Sequence, residues 1–216
     1  FPDNRIGIDP YLVLFEDGEH ARTCSVAVTT GTSLTGDALR MTGRESLGSW
    51  FEQALVARRQ EHHQYDAATV LDCDPPNWQR AAGLTTYYNR HKFHAALVTH
   101  DATLGRCLVL VSCLGDWPSE KLTFHGRFPL PQGRIRLEVR VRGAVQRFHA
   151  GAEGQELQAV GPELDATIIS DEGGRGEHAS FTGAFVGMVA HDLTGQGWSA
   201  DFRSFDYIPR QDVQRT

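Results

Sequence analysis

Residues 135–142 read Ile-Arg-Leu-Glu-Val-Arg-Val-Arg, and the alternation in this stretch decides the fold class. Ile135, Leu137, Val139 and Val141 fall on one side of an extended chain, and Arg136, Glu138, Arg140 and Arg142 on the other. Successive side chains of a strand point to opposite faces, so this is a strand with one buried and one wet face. Gly143 offers a turn, and residues 145–149 run back as a hairpin partner. Outward from there, residues 107–113 (CLVLVSC) form a short continuous apolar run, suited to a strand covered on both sides. Residues 84–88, 93–99, 184–190 and 202–208 read as further strands, rich in β-branched and aromatic side chains. Turn residues separate these runs at Pro75-Pro76-Asn77, Gly115-Asp116, residues 129–133, Gly173-Gly174 and Gly195-Gln196-Gly197. Many short strands punctuated in this way predict an all-β chain folded as a two-sheet antiparallel β-sandwich. Residues 50–60 (WFEQALVARRQ) stay ambiguous: they hold good helix formers, yet they also alternate as a strand would.

The 216 residues fit one large β domain able to bury a substantial core. A hydrophobic share of 40% and a charged share of 22% are ordinary for a globular chain and argue against disorder. The net charge of −6 leaves no basic footprint for nucleic acid or an anionic membrane, and no apolar run is long enough to span a bilayer. The chain begins at Phe1 with no initiator methionine and no signal-peptide pattern, so it is expected to be processed or cut from a longer polypeptide, and its compartment cannot be read from this start. Cys24, Cys73, Cys107 and Cys113 contain no C-x-x-C pair. Cys107 and Cys113 share one side of a strand, six residues apart, so buried free thiols are expected.

No candidate chemistry assembles from the residues alone. Glycoside hydrolysis needs two carboxyl groups across the scissile bond. Glu163 and Asp165 begin a one-strand carboxylate spacing, but Thr167 breaks it and Gly161-Pro162 mark a turn. Asp72 and Asp74 run at once into Pro75-Pro76, and both pairs read as turn carboxylates. His94, His100 and Asp101 invite a metal, but three or four convergent ligands are required and the sequence offers no such set. No metal or other cofactor is expected. Gly173-Gly174-Arg175-Gly176 precedes no amphipathic helix and reads as a loop rather than a phosphate cradle. No G-x-S-x-G elbow occurs. Tyr87, Tyr88, Phe93, Trp117, Phe181, Phe185 and Trp198 could stack on sugar rings, although core packing suits each of them singly.

Five stretches carry more than these fragments do: GRESLGSWFEQALVARRQ at 43–60, AGLTTYYNRHKFHAALVTHDATLGR at 82–106, GPELDATIISDE at 161–172, FTGAFVGMVAHDLTG at 181–195 and ADFRSFDY at 200–207. Together, over residues 39–208, they resemble the C-terminal domain of family 43 β-xylosidases, a concanavalin A-like jelly-roll sandwich. The resemblance implies a five-bladed β-propeller elsewhere that holds the catalytic acid, the base and a pKa-tuning aspartate. The reaction it implies is inverting release of xylose from xylo-oligosaccharide ends. It places none of those carboxylates in the sandwich. By motif position, Phe181 resembles the phenylalanine that the sandwich lends to the propeller's pocket, and Phe185 is expected in the core. The resemblance also implies a strand over residues 51–60. Departures are present: His94 stands where an aromatic is usual, Glu153-Gly154 leads to Leu157 rather than a tryptophan, and residues 1–38 lack the usual opening.

The reading that results divides the chain into a divergent N-terminal segment or first strand (1–38), the sandwich (39–208) and a tail (209–216). It makes the chain an accessory domain without catalytic residues, with Phe181 as its substrate-binding residue. The expected partners are a catalytic β-propeller, in the same or a separate chain, and a xylo-oligosaccharide or other glycan. Nucleic acid and membrane are not expected. The alternatives are a stand-alone lectin-like carbohydrate-binding module and a domain that forms homo-oligomers.

Overall fold

The structure is a computed structural model that describes residues 26–28, 32–115, 122–173 and 183–210. Among these residues the strands are β1 (Val26–Val28), β2 (Thr32–Thr35), β3 (Ala38–Thr42), β4 (Ala54–Arg59), β5 (Gln64–Asp72), β6 (Arg80–Asn89) and β7 (Lys92–Asp101), followed by β8 (Gly105–Leu114), β9 (Leu122–Pro129), β10 (Ile135–Arg142), β11 (Val145–Ala152), β12 (Gln158–Asp165), β13 (Phe185–Asp192) and β14 (Ser199–Pro209). A short 3-10 turn, Ala166–Ile168, follows β12. The strands form two seven-stranded antiparallel sheets, one in the order β1-β4-β13-β6-β7-β8-β9 and the other β12-β11-β10-β5-β14-β3-β2. This is the two-sheet sandwich that the alternation at 135–142 predicts. β1 and β2 both lie within residues 1–38 and pair as sandwich strands.

Inner faces meet as aligned rungs. Leu84, Ala96 and Leu110 stand opposite one another across β6, β7 and β8, and Val139 stands opposite Phe148 across β10 and β11. With Leu137, Phe202 and Met188 they form a closed core between the sheets. The outer faces differ from each other. On β10 the outward residues are Arg136, Glu138, Arg140 and Arg142, as read from the sequence, and they enter ion pairs such as Arg142–Asp66 at 2.6 Å and Arg136–Asp206 at 3.3 Å. The outer face of the first sheet instead carries a second apolar cluster built on Phe93, Ala95, Leu97, Val109 and Val111.

That second cluster explains the ambiguous segment. In β4, Ala54 and Val56 face the inter-sheet core while Leu55 and Ala57 join the outer cluster. Both alternating sets are buried, so tertiary packing overrides the helix propensity of Ala, Leu and Arg. The strand expected over 51–60 begins only at Ala54, and Trp50 and Phe51 stand exposed ahead of it. Cys73 and Cys107 are buried free thiols, Cys113 is buried as well, and Cys24 lies outside the described residues.

His94 is buried on a polar rung, in register with Thr86 on β6, Ser112 on β8 and, beyond it, Thr123 on β9. Its Nε2 lies 3.0 Å from the Asp165 carbonyl, which can only accept, so Nε2 carries the proton. Its Nδ1 then accepts from the Ser112 hydroxyl at 2.6 Å, and Ser112 in turn accepts from His125 Nε2 at 2.8 Å. Burial lowers the His94 pKa to about 4, and burial lowers that of His191 to about 4 as well. Asp192 is the opposite case. Burial would raise its pKa, but the Thr194 hydroxyl, the amides of Trp198 and Thr194, and Arg80 at 3.2 Å hold it down to about 2. The same contacts pin the β13–β14 turn.

Phe148→Ala removes a fully buried ring, and a loss of about 3–5 kcal/mol is expected in urea unfolding. For His94 and His191 the folded pKa lies below the unfolded value of 6.5, so the unfolded chain takes up the proton first. Their contribution is complete above about pH 6.5 and falls toward pH 4, with a loss of about 2 kcal/mol per histidine by pH 5. Unfolding midpoints between pH 7.5 and 4.5 measure this slope, and a flat profile would refute it.

Candidate functional site

Phe181 lies outside the described residues, as do Trp117, Gly174, Arg175 and Gly176. The two ends of the nine-residue connection 174–182 are described, and they are tightly built. Asp165 caps the 3-10 turn, accepting from the Thr167 amide at 2.9 Å. Ser170 Oγ donates to the Thr167 carbonyl at 2.6 Å and accepts from the Gly173 amide at 3.0 Å. Asp171 then projects toward the end of β6, where the Tyr88 hydroxyl donates to its carboxylate. The Gly183 amide donates to the same carboxylate oxygen at 3.2 Å and approaches Tyr88 Oη at 3.4 Å. One buried tyrosine and one carboxylate therefore bring both ends of the connection together.

Sterics fix what stands at these ends. At Gly183, φ is +77° and an added Cβ would lie 1.7 Å from Arg59 Nη1. The Arg59 guanidinium sits 5.1 Å above the Phe185 ring, so a side chain at 183 would unseat both. An added Cβ at Gly173 would meet two backbone carbonyl oxygens at 2.7 and 2.8 Å.

Tyr87 and Arg90, the neighbours of Tyr88 and Asn89 in the chain, hold the loop of residues 43–53. Gln53 Nε2 donates to the Leu47 carbonyl at 2.7 Å and to that of Ser49 at 3.1 Å, and Tyr87 Oη donates to Gln53 Oε1 at 3.1 Å. From the β6–β7 turn, Arg90 Nε donates to the Gly48 carbonyl at 2.8 Å, and its guanidinium stacks 3.8 Å over the Trp50 ring. The result holds up two adjacent exposed aromatics, Trp50 at 58% and Phe51 at 87% of full exposure.

From Gly48 and Arg90 a groove of about 860 Å³ runs along the outer face of the first sheet to Trp78 and Leu193. Phe93, Leu97, Val109 and Val111 line it.

The residues singled out from the sequence separate here. Tyr88 and Phe93 are buried. Tyr87 is half-buried and stacks on Phe93 at 6.3 Å, and Trp198 packs against the inter-sheet core. Phe185, expected in the core, is half-buried and packs against the outer cluster. None of these five is an open platform. Among the described residues Trp50, Phe51, Trp78 and Phe124 are exposed aromatics, which the sequence reading passed over because no shared motif marks them as a group. His94 and His100 share a strand but stand six residues apart, roughly 20 Å at strand rise, too far to share an ion. Among the described residues no group of three or more His, Cys, Asp or Glu could hold a metal. Asp165 serves as a cap and Asp72 pairs loosely with Arg134 at 3.7 Å. Ser112 touches two histidines, but it lies fully buried with its proton committed to His94.

Comparison with known proteins agrees with this architecture. Residues 27–208 match the family described as the β-xylosidase C-terminal concanavalin A-like domain. The chain is 45% identical over 181 residues to xylosidase/arabinosidase 43B of Humicola insolens, covering 80% of this chain and 33% of that protein. It is 37% identical over 169 residues to the β-xylosidase of Bacillus subtilis, covering 78% of this chain and 32% of that one. The solved xylan β-1,4-xylosidase of Bacillus halodurans superposes with a TM-score of 0.72 at 34% identity, over 79% of this chain and 32% of that one. The chain thus spans about a third of the length of these relatives. With its sandwich topology, its paired sheets and this match over most of its length, the chain belongs to the family of β-xylosidase C-terminal concanavalin A-like domains.

Proposed function

We propose that the chain is the accessory sandwich of a β-xylosidase-type glycoside hydrolase and that it completes the substrate pocket of a catalytic β-propeller. The observation that carries this reading is the clamp of Tyr88, Asp171 and Gly183 around the ends of the connection that contains Phe181. A domain with no partner has no use for so constrained a base. A partner's pocket does, because a pocket wall must hold its position while sugar enters and leaves. Phe181 would supply that wall: an apolar ring that excludes water from the terminal xylose and takes no part in proton transfer. The acid and base would come from the propeller. The relatives, whose names record xylosidase or arabinosidase activity, are about three times as long as the matched region, which leaves room for such a domain.

The lone chain is expected to show no turnover of an aryl β-xyloside. Robust turnover abolished by one carboxylate substitution in this chain would overturn the proposal. Fused behind the remaining two thirds of the Humicola insolens relative, the chain is expected to give an active enzyme. In that fusion Phe181→Ala should lower kcat/KM by about ten- to hundredfold, the worth of one buried phenyl ring. An unchanged kcat/KM would reduce the chain to a purely structural role.

Tyr88→Phe removes the hydroxyl that donates to Asp171 and lies against the Gly183 amide. A hydrogen bond to a charged group contributes about 1.5–3 kcal/mol, so amide exchange at Gly183 should speed up roughly tenfold or more. Unchanged exchange would show that the clamp does not hold the connection.

A further inference from the structure

We propose that His94 is a positioning residue for the clamp, the point from which the first sheet holds the segment that carries Asp171; this deepens the role proposed above for that clamp and rests on it. The rung of His94 is polar, whereas the next rung on the same face, Leu84, Ala96 and Leu110, is apolar. Thr86, His94 and Ser112 are each at most 1% exposed. Gln146 reaches the rung from β11 of the second sheet, its Nε2 donating to Thr86 Oγ1 at 3.0 Å. Buried polar groups destabilise a core unless each finds a partner, and these do. What they add is direction. An apolar rung would leave the two sheets free to shift, whereas a hydrogen bond fixes a distance and an angle.

The bond from Gln146 to Thr86 crosses from sheet to sheet, and so does the bond from His94 Nε2 to the Asp165 carbonyl at 3.0 Å. The second one lands where β12 ends. From there the chain is tied step by step to the clamp. The Asp165 carboxylate accepts from the Thr167 amide at 2.9 Å and from its hydroxyl at 2.6 Å. The Thr167 carbonyl accepts from Ser170 Oγ, which accepts in turn from the Gly173 amide. Asp171 lies within that span and takes the Tyr88 hydroxyl and the Gly183 amide. One hairpin thus holds the segment twice, His94 of β7 at residue 165 and Tyr88 of β6 at residue 171. A segment held at one point can swing, and one held at both ends keeps a single position.

The tie requires the proton on Nε2, and Ser112 secures it. Its hydroxyl donates to Nδ1 at 2.6 Å while its oxygen accepts from half-buried His125 of β9 at 2.8 Å, so a chain of donors runs from His125 to Asp165. The titratable groups that face His94 are His125, Asp165 and, two residues before it on the same face of β7, Lys92. From β6, β8 and β11 it meets Thr86, Ser112 and Gln146, which carry no charge. With His125 still donating, a proton on Nδ1 would aim two donors at the Ser112 oxygen and leave the hydroxyl hydrogen without an acceptor. Burial also sets His94 against that proton, so acid favours an opened rung and loosens the tie.

The test uses the fusion with the Humicola insolens relative, read by amide exchange at Gly173 and Gly183 and by steady-state kinetics on an aryl β-xyloside. His94→Phe keeps a ring and removes both of its hydrogen bonds. Exchange at the two amides should speed up about tenfold. Its kcat/KM should fall about three- to tenfold, in KM rather than kcat, because the residue places a wall and moves no proton. His94→Gln, whose amide can still donate to the Asp165 carbonyl, should keep wild-type exchange at pH 7. In the wild type, protection at Gly183, corrected for intrinsic exchange, should fall about tenfold from pH 7 to pH 5, and His94→Gln should abolish that fall. Should His94→Phe fail to fold, Ser112→Ala, which removes the hydroxyl that fixes the tautomer, should show the same loss of protection. Unchanged exchange in these variants, or protection in the wild type as indifferent to pH as in His94→Gln, would overturn the positioning role. So would a kcat/KM unmoved by His94→Phe in a fusion where Phe181→Ala lowers it, and the accessory role would then stand. A kcat/KM unmoved by Phe181→Ala overturns the accessory role itself.

Discussion

β6, β7 and β8 are apolar on both faces, and a sheet of that kind needs two coverings. The opposing sheet provides one through the inter-sheet core of Leu84, Leu110, Leu137 and Phe148. The loop of residues 43–53 provides part of the other, laying Leu47 over the outer cluster. Much of the molecule follows from this. β4 can be a strand of Ala54, Leu55, Val56 and Ala57 because both of its faces find apolar neighbours. Gly187 in β13 is required because β4 lies so close that a Cβ there would stand 2.2 Å from the Val56 carbonyl oxygen. The second sheet has no such demand and takes charges outward, which keeps one side of the sandwich soluble.

How much of this was legible in the sequence varied with how local the signal was. The 135–142 alternation needs only one strand to be read, and it identified both the element and its wet face. The run at 107–113 was also readable as a strand covered on both sides, although what covered it was not, because the inner cover is the opposing sheet and part of the outer cover is Leu47, both distant in sequence. Residues 50–60 could not be settled by pattern, since a strand buried on both faces has no period to show and its alanines favour helix. His94 was visible as a weak metal-ligand candidate and as a departure from the aromatic usual there. That it belongs to a chain through Ser112 to His125 depends on β7, β8 and β9 meeting in register.

The candidate site was legible in a different way. No spacing in the sequence reveals that Asp171 and Gly183 meet at Tyr88, since their partnership closes a loop and also crosses from one sheet's connection to the other sheet's strand. The resemblance directed attention to Phe181. The structure supplied the residues on either side of it, two glycines that no other side chain could replace without displacing backbone or Arg59. The exposed aromatics were overlooked because Trp78 and Phe124 stand singly among polar neighbours, and only the sheet register brings them to one groove.

The proposed role gains its force from how these two regions are joined. A rigid base alone could serve a stand-alone glycan module, and an apolar groove alone could be a site of self-association. Arg90 links them: its stem leaves the turn after β6, one end of its guanidinium holds Gly48 at the groove, and its plane supports Trp50. A partner seated on the groove would also bear on the loop that Arg90 holds. Contact with both requires a protein surface large enough to span them. A single sugar ring spans neither, whereas a domain fused in the same polypeptide spans both at little entropic cost.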